Sequence, residues 1–174
     1  FKLADGSDFA EAVFLCVGVL NQGRIINSTA TNVGGWDASS LNKWLNSSLI
    51  NALPLKWRRI MKSVKVLASA GDQSTKIVET TAKIFIPSLA EVGVSTSELP
   101  YKNEVDAEAL HKAFPIFTTT ASRIKKTLNG EGSASSWWLR SPHPTSSSQF
   151  MCVNNSGSTI SSYADNGISI CFGF

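Results

Sequence analysis

Few residues in this chain have the types and spacing that catalysis or metal binding requires. The two histidines, His111 and His143, are not near a Ser or Cys in a recognisable nucleophile setting. Cys16, Cys152 and Cys171 lack metal-ligand spacing, and although the last two can pair, free buried cysteines are the commoner outcome. No G-x-S-x-G, P-loop or H-E-x-x-H motif and no spaced carboxylate cluster occurs. We therefore expect no catalytic residue, no metal site and no cofactor.

The chemistry that the sequence does offer is hydrogen bonding, concentrated in residues 136–174. All sixteen Lys and Arg lie at or before Arg140, and Asp165 is the only formally charged side chain beyond it. Short apolar stretches alternate there with Ser, Asn and Gly, and eight serines fall between Ser141 and Asn166. Such side chains donate and accept hydrogen bonds, as a contact surface requires, although ordinary loops favour them for turn reasons. Both interpretations stay open on composition.

Length and composition are those of a folded soluble protein. With 174 residues, 43% of them hydrophobic and 17% charged, residues 1–174 are expected to form one domain with its own core. The net charge is +3 and the basic residues are spread along the chain, so we expect no nucleic-acid partner. No apolar run approaches the roughly 20 residues of a spanning helix, which predicts no membrane insertion. The chain starts at Phe1 rather than Met, which is consistent with a trimmed N-terminus.

The elements that must hold the C-terminal segment are short. Residues 13–20 are apolar throughout and resume at 24–26 after Asn-Gln-Gly, which predicts a hairpin whose first strand is covered on both faces. Apolar residues at helical spacing predict a helix over 40–48. Its candidate N-caps are Asp37, Ser39 and Ser40.

The middle of the chain shows both the helical spacing and the alternation of a strand. Between 57 and 68, a helical spacing gives way to alternation, which predicts a short helix feeding a strand. Residues 83–87 predict a brief strand, and Ser88-Leu89-Ala90-Glu91 has the form of a capping box opening a short helix. A third helical segment is expected over 106–113, ended by a proline. Residues 118–126 fit either a helix or an extended segment.

Three strands are predicted in the C-terminal segment. Residues 149–153 and 159–163 fit strands joined by an Asn-Ser-Gly turn, and residues 168–172 fit a third strand. Asn166-Gly167 is a strong hairpin signal between the last two. Successive side chains of a strand point to opposite faces, so we expect the last strand to bury one face and present the other.

Several of these segments together carry a resemblance. They are Gly34-Gly35-Trp36, Ser39, Leu41, Trp44-Leu45-Asn46, Lys83-Ile84-Phe85-Ile86, Ser88-Leu89-Ala90-Glu91, Trp137 to Pro142 and Gly167-Ile168. The pattern resembles a bacterial and phage family of domains of unknown function with a C-type-lectin-like fold. Formylglycine-generating enzymes and the variable proteins of diversity-generating retroelements share that fold. The family usually ends on Gly-hydrophobic-Arg-Pro, whereas Ser169 and Ile170 occupy the last two positions here.

The resemblance implies an α+β domain with short antiparallel sheets, two to three flanking helices, and a ligand-binding face made by C-terminal strands and loops. Phage relatives use that face to hold host receptors. In retroelement-diversified members, adenines are replaced, often within AAC codons. Replacement of the first two bases of AAC can yield Asn, Ser, Thr, Tyr, Asp, His and several others but never Lys, Glu, Gln, Met or Trp. Residues 143–169 lack Lys and Glu, which fits such replacement. Gln149 and Met151 cannot arise in this way, so they are expected to be fixed positions.

We therefore predict a variable, ligand-facing set within this segment. Its members are His143, Ser146, Ser147, Ser148, Asn154, Asn155, Ser156, Ser158, Ser161, Ser162, Tyr163, Asp165, Asn166 and Ser169.

The large aromatic and cationic residues are expected to be structural. Neighbouring residues of a strand face opposite sides, so of Trp137 and Trp138 we expect one in the core and the other at least partly so, with ligand contact as the alternative. Trp36 and Trp44 are interpreted as core residues. Arg140 is expected to tie several carbonyls or a carboxylate together near the base of the loops.

Three functions stay open. The first is a non-enzymatic binding domain on a virion or cell surface, with a protein or glycan receptor as partner and an oligomer possible. The second is an assembly module of such a particle. The third is an oxidase of the formylglycine-generating type, but Cys171 lies one position later than the cysteine of those relatives and lacks their preceding Arg. Lectin-type calcium binding is not expected, because Asp165 is the only carboxylate of the segment.

Overall fold

A computed structural model of the chain describes residues 1–94 and 113–174, and its regular elements are short. The strands are β1 Lys2–Leu3, β2 Val64–Ser69, β3 Ile77–Ala82, β4 Trp137–Pro142, β5 Gln149–Val153 and β6 Thr159–Tyr163. The helices are α1 Gly35–Ala38, α2 Ser40–Trp44, α3 Ile50–Ala52 and α4 Leu55–Ile60, with a π-helical turn at Leu45–Leu49 and a 3-10 turn at Ala121–Arg123. None of the helices in these two ranges is long and apolar enough to cross a membrane. The fold is α+β with antiparallel sheets, as predicted.

The strands form two small sheets. One has the order β1-β2-β3 and the other the order β4-β5-β6, and every pairing is antiparallel. In the second sheet, Trp138 pairs with Cys152 and Pro142 with Phe150, so the register shifts between these two pairs. The β5–β6 hairpin is regular, from Gln149 opposite Tyr163 to Val153 opposite Thr159. This hairpin confirms two of the predicted C-terminal strands.

Strands β4 and β5 of the second sheet separate two hydrophobic clusters, because both faces of these two strands are buried. Trp138 belongs to the larger cluster and Trp137 to the smaller, and neither side chain is exposed. The indole N–H of Trp138 donates to the Arg24 carbonyl at 2.8 Å, and that of Trp137 donates to the Arg123 carbonyl at 3.0 Å. The structural role predicted for both tryptophans is confirmed. Trp36 is also fully buried, whereas Trp44 is only partly so.

A buried ion pair joins β4 to the loop after β3. Arg140 and Glu91 are both fully buried, and the guanidinium forms two parallel hydrogen bonds with the carboxylate, one of them at 2.7 Å. Arg140 also donates to the carbonyls of Leu67 at 2.9 Å and Ile86 at 2.8 Å. One side chain thus fixes β2, the loop and β4 relative to one another, in the role that the sequence predicted.

The capping box forms without a helix behind it. The Ser88 amide donates to the Glu91 carboxylate at 3.0 Å, and the Glu91 amide donates to the Ser88 hydroxyl at 3.2 Å. The predicted short helix is wrong, because only a turn follows and Gly93 adopts a φ of +73°. The same carboxylate therefore caps the turn and pairs with Arg140.

The N-terminal hairpin was predicted wrongly. Residues 13–20 form no strand, and Phe14 and Val17 are 51% and 80% exposed. Instead of pairing with each other, both predicted strands pair with the end of the chain. The amides involved are those of Phe14, Cys16, Leu20 and Arg24, which donate to the carbonyls of Phe174, Phe172, Ile170 and Ile168. The N-terminal side has extra residues between successive bonds, and this irregularity prevents a continuous strand.

The closing segment, residues 168–174, also differs from the strand predicted over 168–172. It pairs with residues 14–24 on one side and with β4 and Phe85 on the other, and not with β6, so the Asn166-Gly167 hairpin does not form. Ile170 and Phe172 lie in the larger cluster and Cys171 in the smaller, so both faces are buried. The expected presented face of this strand is therefore wrong.

Some of the remaining predicted elements form and others do not. The helix over 40–48 forms as α2 and the π-helical turn, and Ser39 is its cap, with its hydroxyl accepting from the Asn42 amide at 3.1 Å. The short helix feeding a strand is confirmed by α4 and β2. Residues 83–87 make only an isolated bridge, while β3, which the sequence analysis missed, precedes them. The helix predicted over 106–113 lies outside the described residues.

Replacing Arg140 should destabilise the fold more than replacing an exposed cation. Arg140→Met leaves the Glu91 carboxylate buried and uncompensated, which typically costs about 3–5 kcal/mol of unfolding free energy. Lys65→Met is the matched control, because Lys65 and Glu79 form a partly exposed pair at 2.9 Å, for which a loss of about 1 kcal/mol or less is expected. Urea unfolding at neutral pH measures both. Equal losses in the two variants would contradict the role assigned to Arg140.

Candidate ligand-binding face

The edge strand β6 carries the centre of the predicted ligand-facing set. Within the described residues it pairs with β5 alone, so its outer edge is open. Ser161 and Ser162 are half-buried, and Tyr163 is 52% exposed. Side-chain hydrogen bonds order this strand. The Ser161 hydroxyl donates to the side-chain oxygen of Gln149 at 3.2 Å, and the side-chain amide of Asn166 donates to the Ser162 hydroxyl at 2.8 Å.

One end of the sheet gathers six of the predicted residues. The loop between β4 and β5 meets the turn after β6 there, and the Ala164 amide donates to the Ser148 carbonyl at 3.0 Å. We call this surface the loop end, and its residues are Ser146, Ser147, Ser148, Tyr163, Asp165 and Asn166. Each is partly or fully exposed, and Asp165 is the only formal charge among them. The loop end combines hydroxyls, an amide, a carboxylate and a phenol on one surface.

Four predicted residues lie at the opposite end of the hairpin. Asn154, Asn155, Ser156 and Ser158 form the turn between β5 and β6. The Asn154 side-chain oxygen accepts from the amides of Ser156 and Ser158, at 3.0 and 2.9 Å. Because a strand rises about 3.3 Å per residue, this turn lies roughly 13 Å from the loop end. Only a ligand longer than that distance contacts both ends.

Two predicted residues do not belong to the exposed surface. His143 is 9% exposed, and its Nδ1 lies 3.2 Å from the Thr145 amide, so the ring supports the loop from within. Burial lowers the pKa of His143 below its ordinary value. Ser169 is half-buried beside Trp137, and β4 and β5 separate it from β6. Both residues are structural neighbours of the face, because loop polarity alone does not report burial.

Asn32 holds the loop end in place, and the sequence analysis did not single it out. Its side-chain amide donates to the carbonyls of Ser146 at 2.6 Å and Gln149 at 2.8 Å, while its oxygen accepts from the Asp72 amide at 2.8 Å. Its own backbone amide donates to the Ser147 carbonyl at 2.7 Å. The side chain is fully buried. One Asn side chain thus ties the ligand-facing loop to the first sheet.

Gly71 allows this arrangement. Its φ is +72°, and a Cβ at this position would lie 1.8 Å from the Asn32 carbonyl oxygen. Any larger residue would push the Asn32 backbone away from the loop. A lone Asn-Val-Gly sequence gives no sign of contacts more than a hundred residues away, so only the long-range fold identifies the role of Asn32.

The cysteines are structural. Cys16, Cys152 and Cys171 are free thiols, which agrees with the expected outcome. Burial raises the pKa of Cys152 and of Cys171 to about 12. The Cys171 thiol donates to the Cys16 carbonyl at 3.4 Å. Within the part of the chain that the structure describes, no three His, Cys, Asp or Glu side chains come together as a metal site.

Replacing Asn32 by Asp should loosen the loop end without changing side-chain size. Asn32→Asp removes both donors and places an acidic group against two carbonyls, for an expected loss of about 2–3 kcal/mol. Asn155→Asp makes the same chemical change on an exposed turn and should cost less than about 0.5 kcal/mol. Amide hydrogen exchange should accelerate at Ala164 and His143, whose amides bond to this loop, in the first variant only. Unchanged exchange in Asn32→Asp would contradict the anchoring role.

Comparison with known proteins gives a family and no function. No curated protein and no solved structure matches the chain significantly. One protein-family comparison matches residues 11–172, which include both sheets almost completely and all of the candidate face. The chain therefore belongs to the family described as "Domain of unknown function (DUF6273)".

Proposed function

We propose that this domain is a non-enzymatic binding module, displayed on a phage or cell surface, whose loop end and β6 edge hold a protein or glycan receptor. One observation carries the proposal: a group of exposed, mostly short polar side chains is mounted on the edge of a sheet whose other two strands, β4 and β5, are buried on both faces. Such a support keeps a contact surface ordered before the partner arrives, which lowers the entropic cost of binding.

The residue types of this face suit recognition. Ser and Asn supply adaptable hydrogen bonding, and Tyr supplies a large amphipathic contact area with little conformational entropy to lose. Tyr163 is the one large aromatic side chain of the loop end, and half of its surface is exposed. Tyrosine is among the residues that dominate binding energy at interfaces. We therefore assign Tyr163 as the anchor and the surrounding serines as adaptable contacts.

The proposal extends to diversification by a retroelement. Residues that adenine replacement can produce lie on exposed positions, such as Ser147, Tyr163 and Asp165. The two residues of this segment that it cannot produce support the sheet: Met151 is 2% exposed in the smaller cluster, and the Gln149 side-chain oxygen accepts from the Ser161 hydroxyl across the strand pair at 3.2 Å. This division between exposed and supporting positions is what a variable surface on a fixed scaffold requires.

The open edge of β6 supports a second candidate, the assembly module. Its sequence, Thr-Ile-Ser-Ser-Tyr, contains no charge and no proline, which are the usual protections of an edge strand against pairing with another chain. A neighbouring subunit could therefore add a strand here. In that case backbone hydrogen bonds, and not the side chains of the loop end, provide the affinity.

The cysteines do not favour the formylglycine-generating alternative. Oxidation chemistry at a thiol starts from the thiolate, and a thiol with a pKa of about 12 is almost entirely protonated at neutral pH. Cys171 is also fully buried between the two ends of the chain.

A matched pair of substitutions on β6 tests the proposed face. Tyr163→Ala should weaken binding to any ligand found on a glycan or surface-protein array by about tenfold or more, because an aromatic anchor is removed. Ile160→Ala is the control: Ile160 is 44% exposed on the same strand and points to the other face. Binding by the wild type that survives Tyr163→Ala unchanged would contradict the assignment. Strand-mediated association that persists in both variants, with no ligand on the array, would favour the assembly module.

The DNA around the gene tests diversification separately. We expect a reverse transcriptase gene and a near-copy of the codons for residues 136–174 that differs only at adenines. The differing codons should encode exposed positions of the loop end and β6, while those of Gln149 and Met151 match. Absence of such a copy would refute diversification. The array experiment would then show whether the domain is a binder of fixed specificity.

A further inference from the structure

A cavity beside the loop end contains a guanidinium with unused hydrogen-bonding capacity. The cavity has a volume of about 320 Å³, which is within the range of small-ligand sites, and lies between residues 23–25, the start of α2 and Gly167. Gly167 follows Asp165 and Asn166 directly, so the cavity opens next to the turn of the loop end. Arg24 is the only charged residue in its lining, which contains no carboxylate.

Arg24 is held flat against an aromatic ring. Its Cζ lies 3.6 Å from the centroid of the Trp44 ring, and both side chains are half-buried. In residues 1–94 and 113–174 the guanidinium makes neither a hydrogen bond nor an ion pair. Stacking satisfies the face of a guanidinium but leaves the five N–H donors in its plane available. The donors are thus free to meet a ligand in the cavity.

The backbone of Arg24 is fixed independently of its side chain. Its amide donates to the Ile168 carbonyl at 2.8 Å, and its carbonyl accepts from the Trp138 indole at 2.8 Å and from the Ile168 amide at 3.2 Å. Trp44 is the last residue of α2, whose start is capped by Ser39. The stack therefore joins two supported elements, and little order has to be acquired on binding.

We propose that Arg24 and Trp44 form an anion subsite that binds a carboxylate group of the ligand. A planar guanidinium fork matches a carboxylate with two parallel hydrogen bonds. The other side chains available are the Ser40 hydroxyl and the apolar surfaces of Ile25, Leu41 and Trp44. One cation in a largely apolar lining balances a single negative charge, which favours a carboxylate over a doubly charged phosphate. The carboxylate can belong to an acidic sugar or to an acidic side chain.

This subsite rests on the proposed function, because it adds a fixed anchor beside the loop end. Its test is independent of any receptor. Two-dimensional ¹H–¹⁵N NMR follows the Arg24 side-chain Nε–H and the Gly167 amide while the protein is titrated with sodium N-acetylneuraminate, with N-acetylaspartate, and with phosphate, at constant ionic strength. We expect saturable chemical-shift changes at the Arg24 and Gly167 signals with one or both carboxylates. Binding of N-acetylneuraminate indicates an acidic sugar as ligand, and binding of N-acetylaspartate indicates an acidic side chain.

Two substitutions complete the test. Arg24→Gln should weaken carboxylate binding by about tenfold or more, because the charged fork is lost. Arg59→Gln on α4 removes the same charge from an exposed position and should leave the affinity unchanged within about twofold. The Trp138 indole signal reports folding of each variant, since it bonds to the backbone of Arg24. Arg24→Lys provides a folded alternative that keeps the charge and loses the fork.

Several outcomes would overturn the subsite. These are an absence of saturable shifts in the wild type, equal weakening by Arg24→Gln and Arg59→Gln, and preference for phosphate over both carboxylates. If the subsite fails while Tyr163→Ala still weakens binding on the array, the binding function stands without the anion anchor. If the carboxylate binds at Arg24 while Tyr163→Ala has no effect, the subsite stands and the assignment of the loop end fails.

Discussion

The ion pair between Arg140 and Glu91 is the interaction on which the rest of the structure depends. Both side chains are fully buried, so each would be strongly destabilised without the other. The pair is satisfied on several sides: Arg140 also donates to two backbone carbonyls, and Glu91 also accepts from the Ser88 amide. These bonds join the first sheet, the loop after it and β4. The charges thus specify one mutual arrangement of segments that are about fifty residues apart in sequence.

That arrangement places the C-terminal sheet between two apolar clusters. Trp137 and Trp138 bury opposite faces of β4, and the closing segment covers its free edge through the hydrogen bond from the Trp138 amide to the Ser169 carbonyl. Polar side chains therefore have room only on the far edge, on β6 and the turns next to it. The polar residues between 146 and 166 lie outside the buried positions 150–153 of β5, and they make this edge suitable for a ligand.

Local patterns in the sequence predicted what depends on neighbours along the chain. The β5–β6 hairpin, α2 with its Ser39 cap, the capping box at Ser88 and the burial of the tryptophans follow from spacing and alternation. The predictions that were wrong mostly concern segments whose structure depends on partners distant in sequence. Residues 13–20 and 24–26 have the composition of a hairpin, yet the end of the chain pairs with both of them. The helix after Ser88 does not extend, because the turn ends at Gly93, whose φ is positive.

The candidate face was also predicted only where local sequence decides exposure. Exposure of Tyr163 and Asp165 agrees with their polar surroundings, but His143 has similar neighbours and is buried. The role of Asn32 depends on carbonyls more than a hundred residues away, and no spacing rule reaches that far. Arg24 and Trp44 are separated by twenty residues, and their stack becomes visible only when α2 folds back on the segment that precedes it.

On the proposed function, the positions of Arg24 and of the loop end have different consequences. Arg24 is bound to Trp138 and Ile168 through its backbone alone, and its guanidinium stacks on Trp44, so a change of its side chain removes the anion anchor and leaves the core in place. The serines of residues 146–148 are held mainly through backbone carbonyls, so their side chains can change while the loop stays in place. A constant anion anchor would supply part of the affinity for every ligand that carries a carboxylate. The variable surface beside it then has to provide only the difference between ligands, which is what specificity requires.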